Sequence, residues 1–178
     1  MPRKFFGRYL PDPDEVLAKP WCKPFRPWLG HPSLWHLNRR SIAGGFAIGL
    51  FCGLIPGPFQ MLGALLMAIP LRKNIPVALV TTFYTNPLTI VPLYVLAYAY
   101  GRLLVGGEES RVHVPDHWSL ASFTEWAMSL GTPLAVGLLA LAVTLAFVGY
   151  FTVAILWRLH VARAWRRRAA SRRAARTP

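Results

Sequence analysis

Charged residues are few in this sequence, and acidic residues are the scarcest of them. Only 15% of the 178 residues are charged, whereas soluble domains have about 25%. Apolar residues make up 54% of the chain. This balance argues against an ordinary soluble domain and predicts an integral membrane protein.

The residue patterns of an active site are also missing. The polar segments contain no pair of carboxylates, no nucleophile beside a suitable base and no phosphate-binding glycine loop. We therefore expect no enzyme activity, no catalytic residue and no cofactor. His113 and His117 lie in an acidic segment and are more typical of solvated side chains than of a metal site, so we expect no metal. Cys22 and Cys52 lie in a basic and an apolar segment, and both are predicted to be free thiols.

Basic residues are abundant but avoid the apolar runs. Of the 20 Lys and Arg residues, eight precede residue 41, eight follow Trp157 and four lie between, against seven acids in the whole chain. The positive-inside rule then places both termini in the cytoplasm. The distribution of basic and apolar residues divides the chain into a basic interfacial arm (1–40), a membrane domain (41–157) with a non-cytoplasmic loop at 106–130, and an Arg-rich tail (158–178). Such basic ends bind anionic lipid headgroups, and we expect no nucleic acid partner.

Four apolar runs form the membrane domain, at 41–57, 58–71, 75–105 and 131–157. The first two would reach only about 25 and 21 Å as helices, against a hydrocarbon core of about 30 Å. With basic pairs before and after them, they are predicted to form a helical hairpin that turns at 56–58, although two thin, tilted spans fit the same charges. The predicted fold is an all-α integral membrane protein with this hairpin, a kinked Asn-Pro helix and a C-terminal transmembrane helix.

Glycines recur every fourth residue in the first run, and they form one smooth helix face: Gly45, Gly49, Gly53 and Gly57. Small residues at this spacing allow another backbone to approach closely. The face is predicted to pack either within the chain or against another subunit, and we expect a homo-oligomer or a larger membrane protein as partner.

A second break at Asn86-Pro87 resembles the first, because each places a proline and an amide between apolar helices. Paired interruptions of this kind mark substrate sites in transporters. Pro58 and Pro87 suit helix starts, and helix N-termini favour anions. A candidate site for an anion or a lipid headgroup therefore comprises four residues: Gln60, Thr85, Asn86 and Pro87. The alternative is that Asn86 is only a helix cap and Gln60 faces a neighbouring carbonyl.

Basic pairs beside the hairpin are predicted to contact lipid headgroups directly: Arg39 and Arg40 before it, Arg72 and Lys73 after it. Leu34, in the arm just before Arg39, is predicted to face lipid as part of a short interfacial helix.

Several stretches resemble the bacterial membrane family known as domain of unknown function 2062: "LWHLNRRSIAGGFAIGLFCGLIP", "NIPVALVTTFYTNPLT" and "LWRLHVARAWRRR". The resemblance implies a small inner-membrane protein of Gram-negative bacteria and no established activity. Two functions stay open at this point. The chain binds or translocates an anionic lipid or small anion at the paired breaks, or it is a scaffold for a larger envelope enzyme or transporter.

Overall fold

The computed structural model describes residues 31, 34–35, 38–57, 59–106 and 119–174, and it contains no strand there. The helices in this part of the chain are α1 Arg39–Cys52, α2 Phe59–Ala68, α3 Ile75–Thr82, α4 Ile90–Val105, α5 Leu120–Ser129 and α6 Gly131–Ala174. The all-α class predicted from the sequence is confirmed for these residues. Pro58, Cys22, His113, His117 and most of the 1–40 arm lie outside the described residues.

Helices α1 and α3 both begin at an asparagine cap. The Asn38 Oδ1 accepts the backbone N–H of Ser41 at 2.7 Å, and the Asn74 Oδ1 accepts that of Val77 at 3.0 Å. Each cap satisfies one of the N–H groups that a helix start leaves unpaired. The backbone N–H of Asn74 also donates to the Ser41 carbonyl at 3.3 Å, so the two helices start side by side.

The glycine face of α1 packs on α3 of the same chain, and the two helices run parallel. A Cβ atom added at Gly45 would lie 2.5 Å from the Asn74 carbonyl oxygen, and one at Gly49 would lie 2.5 Å from that of Ala78. The chain reverses after α1, where Gly57 has φ +71°. Helix α2 then returns alongside α1 and brings the chain back to the start of α3, so α1 and α2 form a helical hairpin.

Helix α6 runs antiparallel to both α4 and α1, which stack end to end along it. Near its start, Gly137 faces the backbone of Ala97 and Gly101 in α4. Further along, Gly149 packs on Phe46 and Leu50 in α1. One long helix therefore holds together the two shorter ones.

Within the described residues, α6 supplies the one helix that is long and apolar enough to cross a membrane. The segment Gly131–Arg163 has a mean hydropathy of 2.3 over its most apolar window, of which 17% is buried. The predicted C-terminal transmembrane run at 131–157 falls inside it. Helices α2 and α4 are apolar but shorter, so several crossings stay a prediction.

The described residues bury a mostly apolar core and also expose many large apolar side chains. A few polar side chains are buried as well, with Asn74 and Thr82 at 0% exposure. Large apolar side chains lie outside, including Phe59 at 65%, Val80 at 69% and Phe147 at 63%. A surface of this kind requires an apolar surrounding or a partner.

One expectation about local structure was wrong. Leu34 was expected to face lipid, but it is fully buried against α1, α2 and α3 in a cluster that includes Ile48 and Ala68. The predicted non-cytoplasmic segment at 106–130 contains α5, which begins where the Ser119 Oγ accepts the Ser122 N–H at 3.0 Å. The side of the membrane on which this segment lies stays a prediction.

Candidate functional site

The two helix breaks lie side by side and are joined by hydroxyl groups. At the end of α1, the Leu50 carbonyl accepts the Tyr84 hydroxyl at 2.8 Å and the Gly53 carbonyl accepts the Thr85 hydroxyl at 2.5 Å. The Leu54 carbonyl accepts the Tyr94 hydroxyl at 3.0 Å. The last carbonyls of a helix have no partner within the helix. We call these three hydrogen bonds the hydroxyl caps. In each of them a side-chain hydroxyl from the second break or from α4 donates to a backbone carbonyl at the first break.

Gln60 and Thr85, two of the predicted site residues, are in contact. The Thr85 Oγ1 lies 2.8 Å from the Gln60 Oε1, 2.5 Å from the Gly53 carbonyl oxygen and 3.0 Å from the Thr82 carbonyl oxygen. All three oxygens are acceptors, and the Thr85 hydroxyl has one proton to donate to them. The pair therefore connects the start of α2 to the first break.

Asn86 and Pro87 lie outside this contact, on the exposed surface. The Asn86 Oδ1 accepts the backbone N–H groups of Leu88 at 2.9 Å and Thr89 at 3.1 Å. Its own N–H donates to the Thr89 hydroxyl at 3.0 Å. Asn86 thus caps a turn, and α4 begins at Ile90 rather than at Pro87, where the sequence pattern placed the helix start.

The glycine face is covered within the chain. Gly49 lies against Ala78 and Thr81, and Gly53 lies against the ring of Tyr84. Gly57 has no neighbour within 4 Å of an added Cβ and contributes the positive φ of the turn instead. Of the two predicted uses of this face, packing within the chain is the one that the structure shows. Gly45, Gly49 and Gly53 are therefore covered by the chain itself.

The predicted headgroup residues lie at one end of the molecule. Arg39 and Arg40 form the first turn of α1, and the side chain of Lys73 packs across Gly44 in the same helix. Arg72 precedes Lys73 in an exposed turn, with φ 51°. This end also includes Arg158 of α6, which lines a cavity together with Arg39 and Arg40.

Sequence reasoning missed the contact between α4 and α6. Gly101 faces the backbone of Pro133 and Gly137, so the two helices cross with their backbones in close approach. Single glycines inside apolar runs were the available signal, but without a four-residue repeat they do not single out a face.

No metal site is formed by the described residues, which contain no group of three or more His, Cys, Asp or Glu side chains placed to hold an ion. What the breaks offer chemically is hydrogen bonding, from amide and hydroxyl groups.

Comparison with known proteins identifies a family but no characterised relative. The sequence model of a family described as "Uncharacterized protein conserved in bacteria (DUF2062)" matches residues 22–166. No curated protein and no solved structure matches the chain.

Proposed function

The chain belongs to the bacterial DUF2062 family, and we propose that it is a multi-pass protein of the inner membrane with both termini in the cytoplasm. Its proposed activity is to bind or translocate an anionic lipid or a small anion at the paired helix breaks. The proposal is supported by the exposed apolar surface, by the position of the breaks along α6 and by the hydrogen bonds of Asn86.

The breaks lie about halfway along the candidate membrane helix. Leu50 packs on Gly149, so Leu54, about one turn further on, is level with Leu145. That residue is about 20 Å along the helix from both Gly131 and Arg158. If α6 spans the bilayer, both breaks therefore lie near its midplane, where backbone and side-chain polar groups need partners that lipid does not supply.

Asn86 is the observation that carries the proposal. Its Oδ1 is occupied by two backbone N–H groups, so its NH2 group points away from the turn as a hydrogen-bond donor. No acceptor for this NH2 group occurs among the residues that the structure describes. A donor without an acceptor is costly at the midplane, and an anion or a phosphate headgroup supplies the missing acceptor.

Replacing Asn86 by Asp tests this role, because the carboxylate keeps the acceptor of the cap but replaces the donor NH2 with a negative charge. We expect Asn86→Asp to fold normally and to lose anion or lipid binding by repulsion across a medium of low dielectric constant. Asn86→Ala should weaken binding by about 1 kcal/mol through one lost hydrogen bond, and it should also weaken the cap. The measurements are the anionic lipid retained by purified protein and its transport in reconstituted vesicles.

Thermal stability provides the control for that comparison. At a temperature where each variant is fully folded, retained lipid should rank as parent, then Asn86→Ala, then Asn86→Asp. An Asn86→Asp protein that binds and transports like the parent would show that Asn86 is a structural cap and that the breaks hold no anion.

The scaffold function is the second proposal, and the exposed face of α2 favours it. Phe59, Leu62 and Leu66 lie at the spacing of one helix face and are 65%, 52% and 63% exposed. Because α3 covers the glycine face, a second copy or a larger membrane protein would have to dock elsewhere, and α2 provides such a surface. Stoichiometric co-purification of a partner that is lost in Leu62→Gln, with no transport by the parent, would favour this function.

A further inference from the structure

A cavity of about 170 Å³ lies between the first turn of α1 and the C-terminal half of α6. It is separate from the helix breaks, because its α6 residues lie at 150–158 rather than near Leu145. Its volume is many times what a single water molecule needs. We call it the arginine cavity; its lining residues are Arg39, Arg40, Tyr150, Phe151, Ala154, Ile155 and Arg158.

Three arginines line this cavity, Arg39 and Arg40 from α1 and Arg158 from α6, and no carboxylate is among the lining residues. Arginine binds phosphate through paired N–H groups in a fixed fork. Arg39 and Arg40 also belong to the first turn of α1, where the helix dipole adds positive potential. The positive charges of the three arginines are therefore not neutralised by any lining residue, and they are suited to binding a singly or doubly charged phosphate.

Apolar side chains of α6 also line the cavity. Phe151, Ala154 and Ile155 lie on the same face of α6 as Arg158, and Phe151 and Ile155 are 55% and 53% exposed. A free inorganic ion makes no favourable contact with these apolar side chains, whereas the glycerol and upper acyl chain of a phospholipid would cover them. Arg158 directly follows the apolar run of α6 and the apolar side chains precede it, which follows the order of groups in a lipid molecule.

We propose that the arginine cavity binds the phosphate of an anionic phospholipid, with the acyl chains of that lipid lying along Phe151 and Ile155. A phospholipid headgroup and a free phosphate ion would both bind to the three arginines. The apolar side chains of the cavity favour the phospholipid. This site is independent of the proposed anion site at Asn86.

The test uses the full-length protein in nanodiscs that contain phosphatidylcholine with a minor fraction of phosphatidylglycerol. Phosphatidylglycerol that remains bound after purification is measured by native mass spectrometry. Arg40→Gln and Arg158→Gln should each reduce its retention by about tenfold, the effect of losing one charge-assisted hydrogen-bonding group. Arg163→Gln is the matched control, because it removes the same charge from α6 outside the cavity, and it should retain the lipid like the parent.

Ala154→Phe tests the space of the cavity independently of its charge. It fills the space and leaves all three arginines in place, so it should also lower lipid retention. If Arg40→Gln fails to fold, Arg158→Gln and Ala154→Phe decide the result.

Inorganic phosphate distinguishes the two sources of the ligand. We expect added phosphate to displace little of the bound phosphatidylglycerol. Complete displacement, equal losses in Arg163→Gln and Arg158→Gln, or unchanged retention in Arg158→Gln and Ala154→Phe would each overturn the proposal.

Discussion

Thr85 is the residue at which the two helix breaks are joined. It is 7% exposed, it precedes Asn86 in the second break, and its hydroxyl lies within hydrogen-bonding distance of the Gly53 carbonyl, the Gln60 Oε1 and the Thr82 carbonyl. The sequence predicted Thr85 as a helper of Asn86 at the helix cap and as a member of the candidate anion site. In the structure its hydroxyl bonds within the protein, and contact with an anion stays a prediction.

Thr85→Val should therefore affect stability more than ligand binding. Valine has the same shape but leaves the Gly53 carbonyl without its hydroxyl donor, which we expect to lower the free energy of unfolding by about 1–3 kcal/mol. Unfolding of the purified protein in detergent measures the change. Thr85→Ser keeps the hydroxyl and Thr152→Val alters an exposed threonine of α6, so both should remain close to the parent. Equal stability of Thr85→Val and Thr85→Ser would show that the hydroxyl cap contributes nothing.

At the scale of helices, the sequence predicts that close contacts and interruptions exist but not which helices make the contacts. The four-residue glycine spacing correctly indicated that a backbone approaches α1 closely, and the asparagine-proline pair correctly indicated an interruption before α4. Neither pattern identifies the partner, because a glycine face accepts any smooth surface and the order of contacts depends on the whole chain. The hydroxyl caps were also out of reach, since Tyr84 and Tyr94 meet carbonyls 34 and 40 residues away in sequence.

Gly49→Ala tests the contact between α1 and α3. The new Cβ would lie 2.5 Å from the Ala78 carbonyl oxygen, and a backbone atom cannot move aside without separating the two helices. We expect a destabilisation of about 1–3 kcal/mol, typical of overpacking, as measured by thermal unfolding.

Gly63→Ala provides the matched control within a neighbouring helix. Its Cβ would meet the end of the Ile55 side chain at 3.3 Å, which can shift slightly, while alanine favours the helix by about 1 kcal/mol in both variants. Gly63→Ala should thus be neutral or stabilising. If the two variants unfold alike, close approach to α3 is not what the glycine at 49 provides.

Four basic residues cluster at one end of the described part of the molecule. Arg39, Arg40, Lys73 and Arg158 lie together where α1 and α3 begin, whereas α4 ends and α6 begins at the opposite end. In the proposed membrane arrangement, α1 and α4 together accompany α6 across both leaflets, with the breaks between them. This arrangement agrees with the positive-inside rule for cytoplasmic termini.

Cysteine labelling in intact cells tests that orientation. In a chain without its two native cysteines, a cysteine at Ser119 should react with a membrane-impermeant maleimide added outside. A cysteine at Ser171 should react only after the inner membrane is permeabilised. Labelling of Ser171 in intact cells would contradict the proposed topology.

The hydroxyl caps also have a consequence for synthesis in the proposed membrane arrangement. The carbonyls of Leu50, Gly53 and Leu54 accept hydroxyl groups of residues that are synthesised 32 to 40 residues later. At about 5–20 residues per second, this delay is about 2–8 s. We therefore expect the α1–α2 hairpin to remain near the polar interface or beside the insertion machinery until α3 and the start of α4 emerge, and to enter the bilayer together with them.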